Sequence, residues 1–290
     1  METKFTLENP MPPVWLMYPH ITQFSIGWRM GAGEGYKYDF GDWFKTLSEK
    51  EQRKYQEMFP HPKTWREYYN SDYNFEDLED YECGTVELWN KQGIMEYSRE
   101  KLIEKHNSGE QIEYIFFWKP NINVIDKSCF GQWQPSKFNV DIDAYCCAEQ
   151  YMMAEKARLF EDKEVCELIM KSTDAKEMKA LGKKVGNFEQ TLWDKAKYSI
   201  VLNGNYFKYA QNEYMRNFLL STGNKVLVEA SPLDTIWGIG LSEGNEKSQN
   251  PSTWRGQNLL GFALMEVRDE LQNVYRNYDK IDWSTFRNYR

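Results

Sequence analysis

The segment DAYCCAEQYMMAEKARLF, residues 143–160, has the spacing of apolar positions that is typical of a helix. At 3.6 residues per turn, one face of this helix is apolar, yet it also carries Glu149 and Lys156. An unpaired charge is costly to bury, so a charge on an apolar face usually forms a pair, changes its pKa or takes part in chemistry. A direct pair would have to span roughly 10 Å of helix rise, which is long, but a buried pair with a loop stays an alternative. The opposite face is predicted to contact water, and it carries Tyr151, Glu155, Arg158 and Asp162.

The same periodicity predicts mostly helices after residue 110. They cover residues 143–160, 162–171, 174–185, 188–210, 212–223 and 258–272. Short apolar runs predict strands at residues 111–118 and 225–231, and a further short strand in GTVELW. Upstream, residues 46–58 are predicted to form a polar helix opened by a Ser or Thr cap, and another helix is predicted near residues 91–105.

Residues 1–40 are predicted to be loop-like. The glycines of MGAGEGY within them lack the preceding strand and the following helix of a nucleotide-binding fingerprint. The loop HNSGE, residues 106–110, is the predicted domain boundary. We therefore expect an α+β protein that is mainly α-helical. A compact helical domain with a few short strands, residues 111–272, follows a mixed extension of unassigned function, residues 1–110, and an amphipathic tail, residues 273–290, docks on that domain.

Composition narrows the class of protein. The 290 residues are enough for one or two domains with a sizeable core. Neither a long apolar run nor a signal-peptide pattern is present, so no membrane segment is expected. The five cysteines are odd in number and match no zinc spacing, which predicts free thiols in a reducing cytoplasm. All three histidines precede residue 110, so neither a metal site nor a cofactor is expected in the helical domain.

The charge is unevenly distributed along the chain. The formal net charge is −8, and much of the acidity lies in residues 71–88, so a uniformly basic nucleic-acid surface is excluded. Residues 171–220, by contrast, are locally rich in lysine. They predict either a local phosphate-binding surface or a helix face in water.

Three stretches, in this order, together resemble one family. They are FFWKP with KSCFGQWQPSKFNVDIDAYCCAEQYMMAEKARLF, the run from TDAKEMKALGKKV to SPLDTIWGIGL, and NPSTWRGQNLLGFALMEVRDEL. Their order and spacing are similar to those of the NADAR family, the NAD- and ADP-ribose-associated proteins, over residues 113–271. One departure is Gln150, which stands where many members have a histidine.

The resemblance implies an N-glycosidase that cleaves the bond between a base and C1 of a phosphorylated ribose. Two substrate classes are associated with the family: ADP-ribose attached to guanine in DNA, and the ribosylaminopyrimidine phosphates of early riboflavin synthesis. The lysine-rich stretch favours the first, so the expected partner is an ADP-ribose or ribose-phosphate ligand, with ADP-ribosylated DNA as the larger form. A non-catalytic ADP-ribose or NAD sensor is the alternative from another class.

The residue chemistry suits such a bond. Its cleavage builds positive charge on the sugar, which a carboxylate stabilises, and the departing base needs a proton. Glu149 is the predicted acid–base group, and Asp234 is matched to the second acidic position of the family. A neutral lysine amine could instead trap C1 as a Schiff base; Lys127 is the first choice for that role and Lys156 the second.

The other predicted site residues lie in the matched motifs. Trp133, Trp193 and Trp237 fall in GQWQPS, TLWDKA and TIWGIG, where an indole can stack on a base, although filling the core is the ordinary role of a tryptophan. Gly238 permits close backbone approach to a ligand. Arg158 is predicted to contact a phosphate from the polar face of its helix.

Overall fold

The computed structural model of the protein describes residues 5–65, 68–69, 95–121 and 123–289. The chain divides into two compact units. The first comprises residues 1–79, 139–143 and 270–290, and the second comprises residues 80–138 and 144–269. In this division, the C-terminal tail and a short internal stretch cluster with the N-terminal part of the chain. The domain boundary at residues 106–110 stays a prediction.

Some predicted features lie outside the described residues. They are the acidic segment 71–88 with Cys83, the strand in GTVELW and the first residues of the helix near 91–105. Within the described part, the cysteines are free thiols, and no helix is both long and apolar enough to cross a membrane.

Among its described residues, the first unit has the α-helices α1 (Val14–Met17), α2 (Ala32–Thr46) and α3 (Glu49–Met58). Ser48 caps α3 as predicted, and with Glu51 it forms a capping box. The core of this unit is aromatic and includes Phe286 of the C-terminal tail, which is fully buried and stacks on Phe5. The tail is also held by the hydroxyl of Tyr18, which donates to the carbonyl oxygen of Tyr289 at 2.7 Å.

The prediction of a loop over residues 1–40 is wrong for residues 32–40, which form most of α2. The three glycines of MGAGEGY disfavour a helix by their intrinsic propensity. The helix nevertheless forms because Tyr36, Phe40 and Trp43, at helical spacing, are buried in the aromatic core. Tertiary burial therefore outweighs local propensity in this segment.

The second unit contains most of the helices and strands. Its helices are α4 (Arg99–Asn107), α5 (Ala148–Leu159), α6 (Lys163–Lys171), α7 (Ala175–Gly182), α8 (Gln190–Gln211) and α9 (Glu213–Ser221), and α10 (Leu259–Val274) begins in this unit. Strands β1 (Tyr114–Phe117) and β4 (Val226–Glu229) lie in this unit, whereas β2 (Phe138–Val140) and β3 (Asp143–Tyr145) are divided between the two units. The predicted class, mainly helical with a few short strands, is confirmed. The helix predicted from residue 143 begins at Ala148, because the residues before it form β3.

Helix α5 lies at the centre of this unit and packs against α6, α7 and α8. The prediction that its polar face contacts water is wrong for Tyr151 and Glu155, which are both buried. The hydroxyl of Tyr151 accepts a hydrogen bond from the side-chain amide of Asn203 at 2.6 Å, and Glu155 forms an ion pair with Arg158. Tyr151 and Glu155, on the face predicted to be polar, therefore have partners inside the protein.

Strands β1 and β4 form a two-stranded parallel sheet, in register from Tyr114 opposite Val226 to Phe117 opposite Glu229. The buried side chain of Asn258 also bonds to β4. Its amide nitrogen donates to the carbonyl oxygen of Leu227, and its oxygen accepts from the backbone N–H of Glu229, each at 2.9 Å. This side chain fixes the end of β4, from which the loop toward Asp234 departs.

The close packing of α5 against α8 predicts the effect of a single methyl group. A Cβ at Gly204 would lie 2.4 Å from Cδ1 of the Tyr151 ring. Gly204→Ala should therefore lower the free energy of unfolding by about 1–2 kcal/mol in urea denaturation, because the overpacking cost exceeds the gain in helix propensity. The control is Gly41→Ala in α2, where a Cβ meets nothing within 4 Å and should be neutral or stabilising. A Gly204→Ala protein as stable as the control variant would contradict this packing.

Candidate active site

Glu149 is the second residue of α5, and 5% of it is exposed. Its backbone N–H donates to the carbonyl oxygen of Gln132 at 3.0 Å. Burial raises the pKa of its carboxyl to about 7; Lys179 and a donor contact from the Trp133 indole oppose that rise, and Asp234 adds to it. The carboxyl can therefore exchange a proton near neutral pH, as acid–base catalysis requires.

Side chains of α8 hold the loop that carries Trp133. The ammonium of Lys208 donates to the carbonyl oxygens of Cys129 at 2.6 Å and Gly131 at 3.3 Å. The side-chain amide of Asn205 donates to Oε1 of Gln132 at 3.0 Å. Lys208 is fully buried, and this burial lowers its pKa to about 8. These buried contacts hold the residues directly before the indole that acts on Glu149.

Asp234 lies in the loop after β4, and its two carboxylate oxygens have different partners. Oδ1 accepts from the backbone N–H groups of Ile236 at 3.0 Å and Trp237 at 2.8 Å. Oδ2 lies 3.9 Å from the ammonium of Lys179, and that ammonium lies 5.9 Å from the ring centroid of Trp133. The loop thus supplies a fixed carboxylate beside a cation and an exposed indole.

Two glycines allow this loop to fold tightly. A Cβ at Gly238 would lie 2.8 Å from the carbonyl oxygen of Glu229, and one at Gly256 would lie 2.2 Å from the carbonyl oxygen of Gly238. Backbone hydrogen bonds join residues 235–239 to residues 255–260, among them Asn258 N–H to Gly238 O at 3.2 Å. The close approach at Gly238 is thus to protein backbone, and its contact with a ligand stays a prediction.

Glu229, the last residue of β4, is a member of the site that the sequence analysis missed. Burial raises the pKa of its carboxyl to about 8; Asp234 and Glu149 raise it further, and Lys179 opposes them. Its Oε2 atom is buried without a hydrogen-bond partner among the described residues. The sequence contains one signal for Glu229: this carboxylate directly follows the residues KVLV and so ends a largely apolar strand.

Lys179, in α7, was also missed as an individual site residue. The sequence analysis treated it only as one member of a lysine-rich stretch. The structure brings its ammonium to Asp234, and its charge acts on both Glu149 and Glu229. Helical periodicity does not distinguish Lys179 from the neighbouring lysines. Its position beside Asp234 depends on the packing of α7 on α5.

The structure places Lys127 in an ion pair. Its ammonium lies 2.8 Å from each carboxylate oxygen of Glu243, on the exposed surface. Lys156 also has other partners. It donates to the carbonyl oxygen of Gly182 at 2.8 Å and lies 4.3 Å and 5.3 Å from the ring centroids of Phe188 and Trp193. The cations that act on Glu149 therefore do not include the two predicted nucleophiles.

Of the remaining predicted residues, Trp237 lies in the loop that carries Asp234, whereas Trp193 and Arg158 contact other parts of the protein. Trp237 is half-buried beside Asp234, whereas Trp193 is buried against Lys156. The guanidinium of Arg158 bonds to Glu155 and to the hydroxyl of Tyr145, so its donors are engaged within the protein.

Gln150, at the position where a histidine was expected, has a structural role. Its amide nitrogen donates to the carbonyl oxygens of Ile169, Met170 and Ser172 at the end of α6, and its oxygen accepts from the N–H of Cys146. It closes a helix terminus that would otherwise leave buried carbonyl groups unpaired.

The described residues hold no group of three or more His, Cys, Asp or Glu side chains that could bind a metal ion. What they do hold is a cluster of three carboxyl groups, one ammonium and the indole of Trp133, in which Glu149 takes part, and the backbone of Trp237 bonds to one of these carboxyls. Two neighbouring carboxyls with raised pKa values make this cluster the candidate site for proton transfer.

Comparison with known proteins agrees with this class of site. The family model for the NADAR domain matches residues 116–272, and the chain belongs to that family, as predicted. An N-glycosidase of Acanthamoeba polyphaga mimivirus is 44% identical over 168 residues, which cover 56% of this chain and 99% of that protein. An N-glycosidase of Nostoc punctiforme is 30% identical, covering 56% of this chain and 94% of its own. A riboflavin biosynthesis protein of Vibrio vulnificus is 27% identical, covering 60% of this chain and 46% of its own.

The raised pKa of Glu149 predicts how stability depends on pH. A carboxyl whose pKa rises on folding, here from 4.5 to about 7, favours the folded state at low pH and loses that contribution as the pH rises through about 7. The Glu149→Gln variant has no carboxyl at this position and should not lose stability in this way. We expect that, between about pH 5 and pH 9, the free energy of unfolding falls by about 2 kcal/mol more in the wild type than in the variant. The exposed Glu164→Gln is the control and should follow the wild-type curve. Parallel curves for all three proteins would show that Glu149 is not destabilised by burial.

Proposed function

We propose that this protein hydrolyses the N-ribosyl bond of an ADP-ribosyl adduct, and that ADP-ribose on guanine in DNA is its substrate. The two N-glycosidases among its relatives match nearly their whole length to it, so the chain is a glycosyl hydrolase. The observation that carries the finer proposal is an exposed apolar rim beside the buried carboxyls. It comprises Leu233, Ile236 and Trp133, which are 91%, 43% and 37% exposed.

This rim favours a large ligand. An ADP-ribosyl adduct of guanine has two bases and two phosphates, so it extends well beyond the sugar that is cleaved. Exposed apolar and indole surface next to Asp234 offers contact area for a base outside the carboxyl cluster. Lys179 adds a cation at the same edge, and it suits a phosphate or a ribose hydroxyl held by Asp234.

The carboxyl cluster supplies the chemistry. Departure of the base leaves positive charge on C1 and the ring oxygen of the ribose, which the carboxylate of Glu149 stabilises. The same carboxylate accepts a proton from the attacking water. The low exposure of Glu149 keeps its charge close to the sugar without screening by bulk water.

Two other functions remain as alternatives. The Vibrio vulnificus relative supports hydrolysis of ribosylaminopyrimidine phosphates, which have one base and one phosphate and need no apolar rim. A non-catalytic ADP-ribose or NAD sensor would require the binding surface but not a buried carboxyl with a pKa near neutrality, so Glu149 argues against it.

A substrate panel tests the proposal. ADP-ribosylated single-stranded DNA, an aminopyrimidine ribosyl phosphate and NAD are incubated with the protein, and the products of N-ribosyl cleavage are measured by mass spectrometry. We expect release of ADP-ribose from the DNA, with the guanine left unmodified in the strand. Glu149→Gln should lower that rate by about 100- to 10,000-fold, because a catalytic acid–base group is lost. The control Glu164→Gln should keep the wild-type rate. Preferred turnover of the aminopyrimidine would assign the protein to the riboflavin intermediates, and tight binding of ADP-ribose without turnover would make it a sensor.

A covalent role for Lys127 stays a prediction, and it has a direct test. In the structure its ammonium is paired with Glu243, so it must leave this ion pair and lose a proton before it can attack C1. If it does so, borohydride added during turnover should reduce a Schiff base, and peptide mass mapping should place the adduct on Lys127. An adduct on Lys156 or Lys179 would move the role there. Brisk turnover without any adduct would establish direct attack by water.

A further inference from the structure

The backbone of Glu229, from which its carboxyl side chain extends, is held by hydrogen bonds. Its N–H donates to the side chain of Asn258 and its carbonyl oxygen accepts from the N–H of Ile239, each at 2.9 Å, while Phe117 lies opposite it in the sheet. Both backbone groups of Glu229 are therefore bonded, and its side chain starts from a fixed point beside the Asp234 loop. The geometry is that of a positioned group, although the sequence analysis assigned it no role.

The surroundings of Glu149 and Glu229 differ in the form of the carboxyl that they favour. Glu149 has the donor contact from Trp133, which favours the ionised form. Oε2 of Glu229 is buried and has no hydrogen-bond partner among the described residues. Of the charged groups that act on Glu229, Asp234 and Glu149 are negative, and Lys179 is shared with Glu149. When two nearby carboxyls titrate as a pair, the proton stays on the member with fewer donors.

We propose that Glu229 is a second catalytic carboxyl, which carries the proton given to the departing base, while Glu149 acts in the ionised form. The assignment rests on the N-glycosidase reaction proposed above. It also gives the two carboxyls separate tasks, as two groups in different environments allow.

The step is balanced as a hydrolysis by one water molecule. The bond between C1 and the base nitrogen breaks, its electron pair goes to the base, and the proton of Glu229 neutralises the base. The oxygen of water forms the new bond to C1, and Glu149 takes the proton that this water loses. Glu229 is then ionised and Glu149 protonated, so transfer of one proton from Glu149 back to Glu229 restores the starting state. No redox partner or further reactant is needed.

A change of leaving group separates the two tasks. The para-nitrophenyl riboside phosphate has a phenolate leaving group that needs no proton, whereas in the ADP-ribosylated DNA of the panel the leaving group is a guanine nitrogen of the DNA, which does need one. Glu229→Gln should lower turnover of the DNA by at least about 100-fold, the typical contribution of a general acid, and turn over the nitrophenyl substrate nearly as fast as the wild type. Glu149→Gln should lose activity on both. Equal losses on both substrates with Glu229→Gln, or no loss on either, would overturn the assignment.

A second measurement does not depend on turnover. Infrared spectroscopy at slightly alkaline pH should show the carbonyl stretch of a protonated carboxyl in the wild type and in Glu149→Gln, and this band should be absent in Glu229→Gln. The exposed Glu164→Gln should keep the band. Loss of the band in Glu149→Gln instead would place the proton on Glu149 and overturn the proposal. If no member of the panel is cleaved, the function proposed above fails, and the infrared result still decides where the proton lies.

Discussion

The removal of the Glu149 carboxyl from water is the constraint on which the rest of the site depends. Helix α5 is buried on both faces by α6, α7 and α8, so a carboxyl in its first turn cannot be solvated. Desolvation raises its pKa toward neutrality, and the same effect acts on Glu229 at the end of β4. Two carboxyls with raised pKa values lower the stability of the folded protein at alkaline pH, which is the cost of the desolvation that the proposed reaction would use.

Buried polar contacts around the site have a different purpose from the carboxyls. Lys208 and Asn205 extend from α8 to the loop before α5, and Asn258 extends to the end of β4. None of these three acts on the pKa of Glu149 or Glu229. Lys208 and Asn258 satisfy backbone groups where the chain leaves regular structure, and Asn205 bonds the side chain of Gln132, so that Trp133 and the Asp234 loop are held in place.

Some residues of this site were predicted from the sequence, but the structure does not support all the reasons for which they were selected. Glu149 was selected because a charge lay on an apolar helix face, but the opposite face is buried as well, as Tyr151 and Glu155 show. The selection therefore depended more on the family motif than on the pattern. Lys127 was selected by its position in the motif and Lys156 by its place on the apolar helix face, yet the structure gives each a different partner. Lys179 and Glu229 were missed because their role arises only where α7 and β4 meet the Asp234 loop.

By itself, the sequence determined the family, the mainly helical class and most helices after residue 110, because apolar periodicity and capping residues are local properties that survive without a partner. Even so, it misjudged α2, where three glycines oppose a helix that an aromatic core stabilises. Only the tertiary structure decided which carboxyls lie together and which lysine accompanies them. Those contacts join residues up to 85 positions apart, from Glu149 to Asp234, and depend on desolvation, which no local pattern of residues contains.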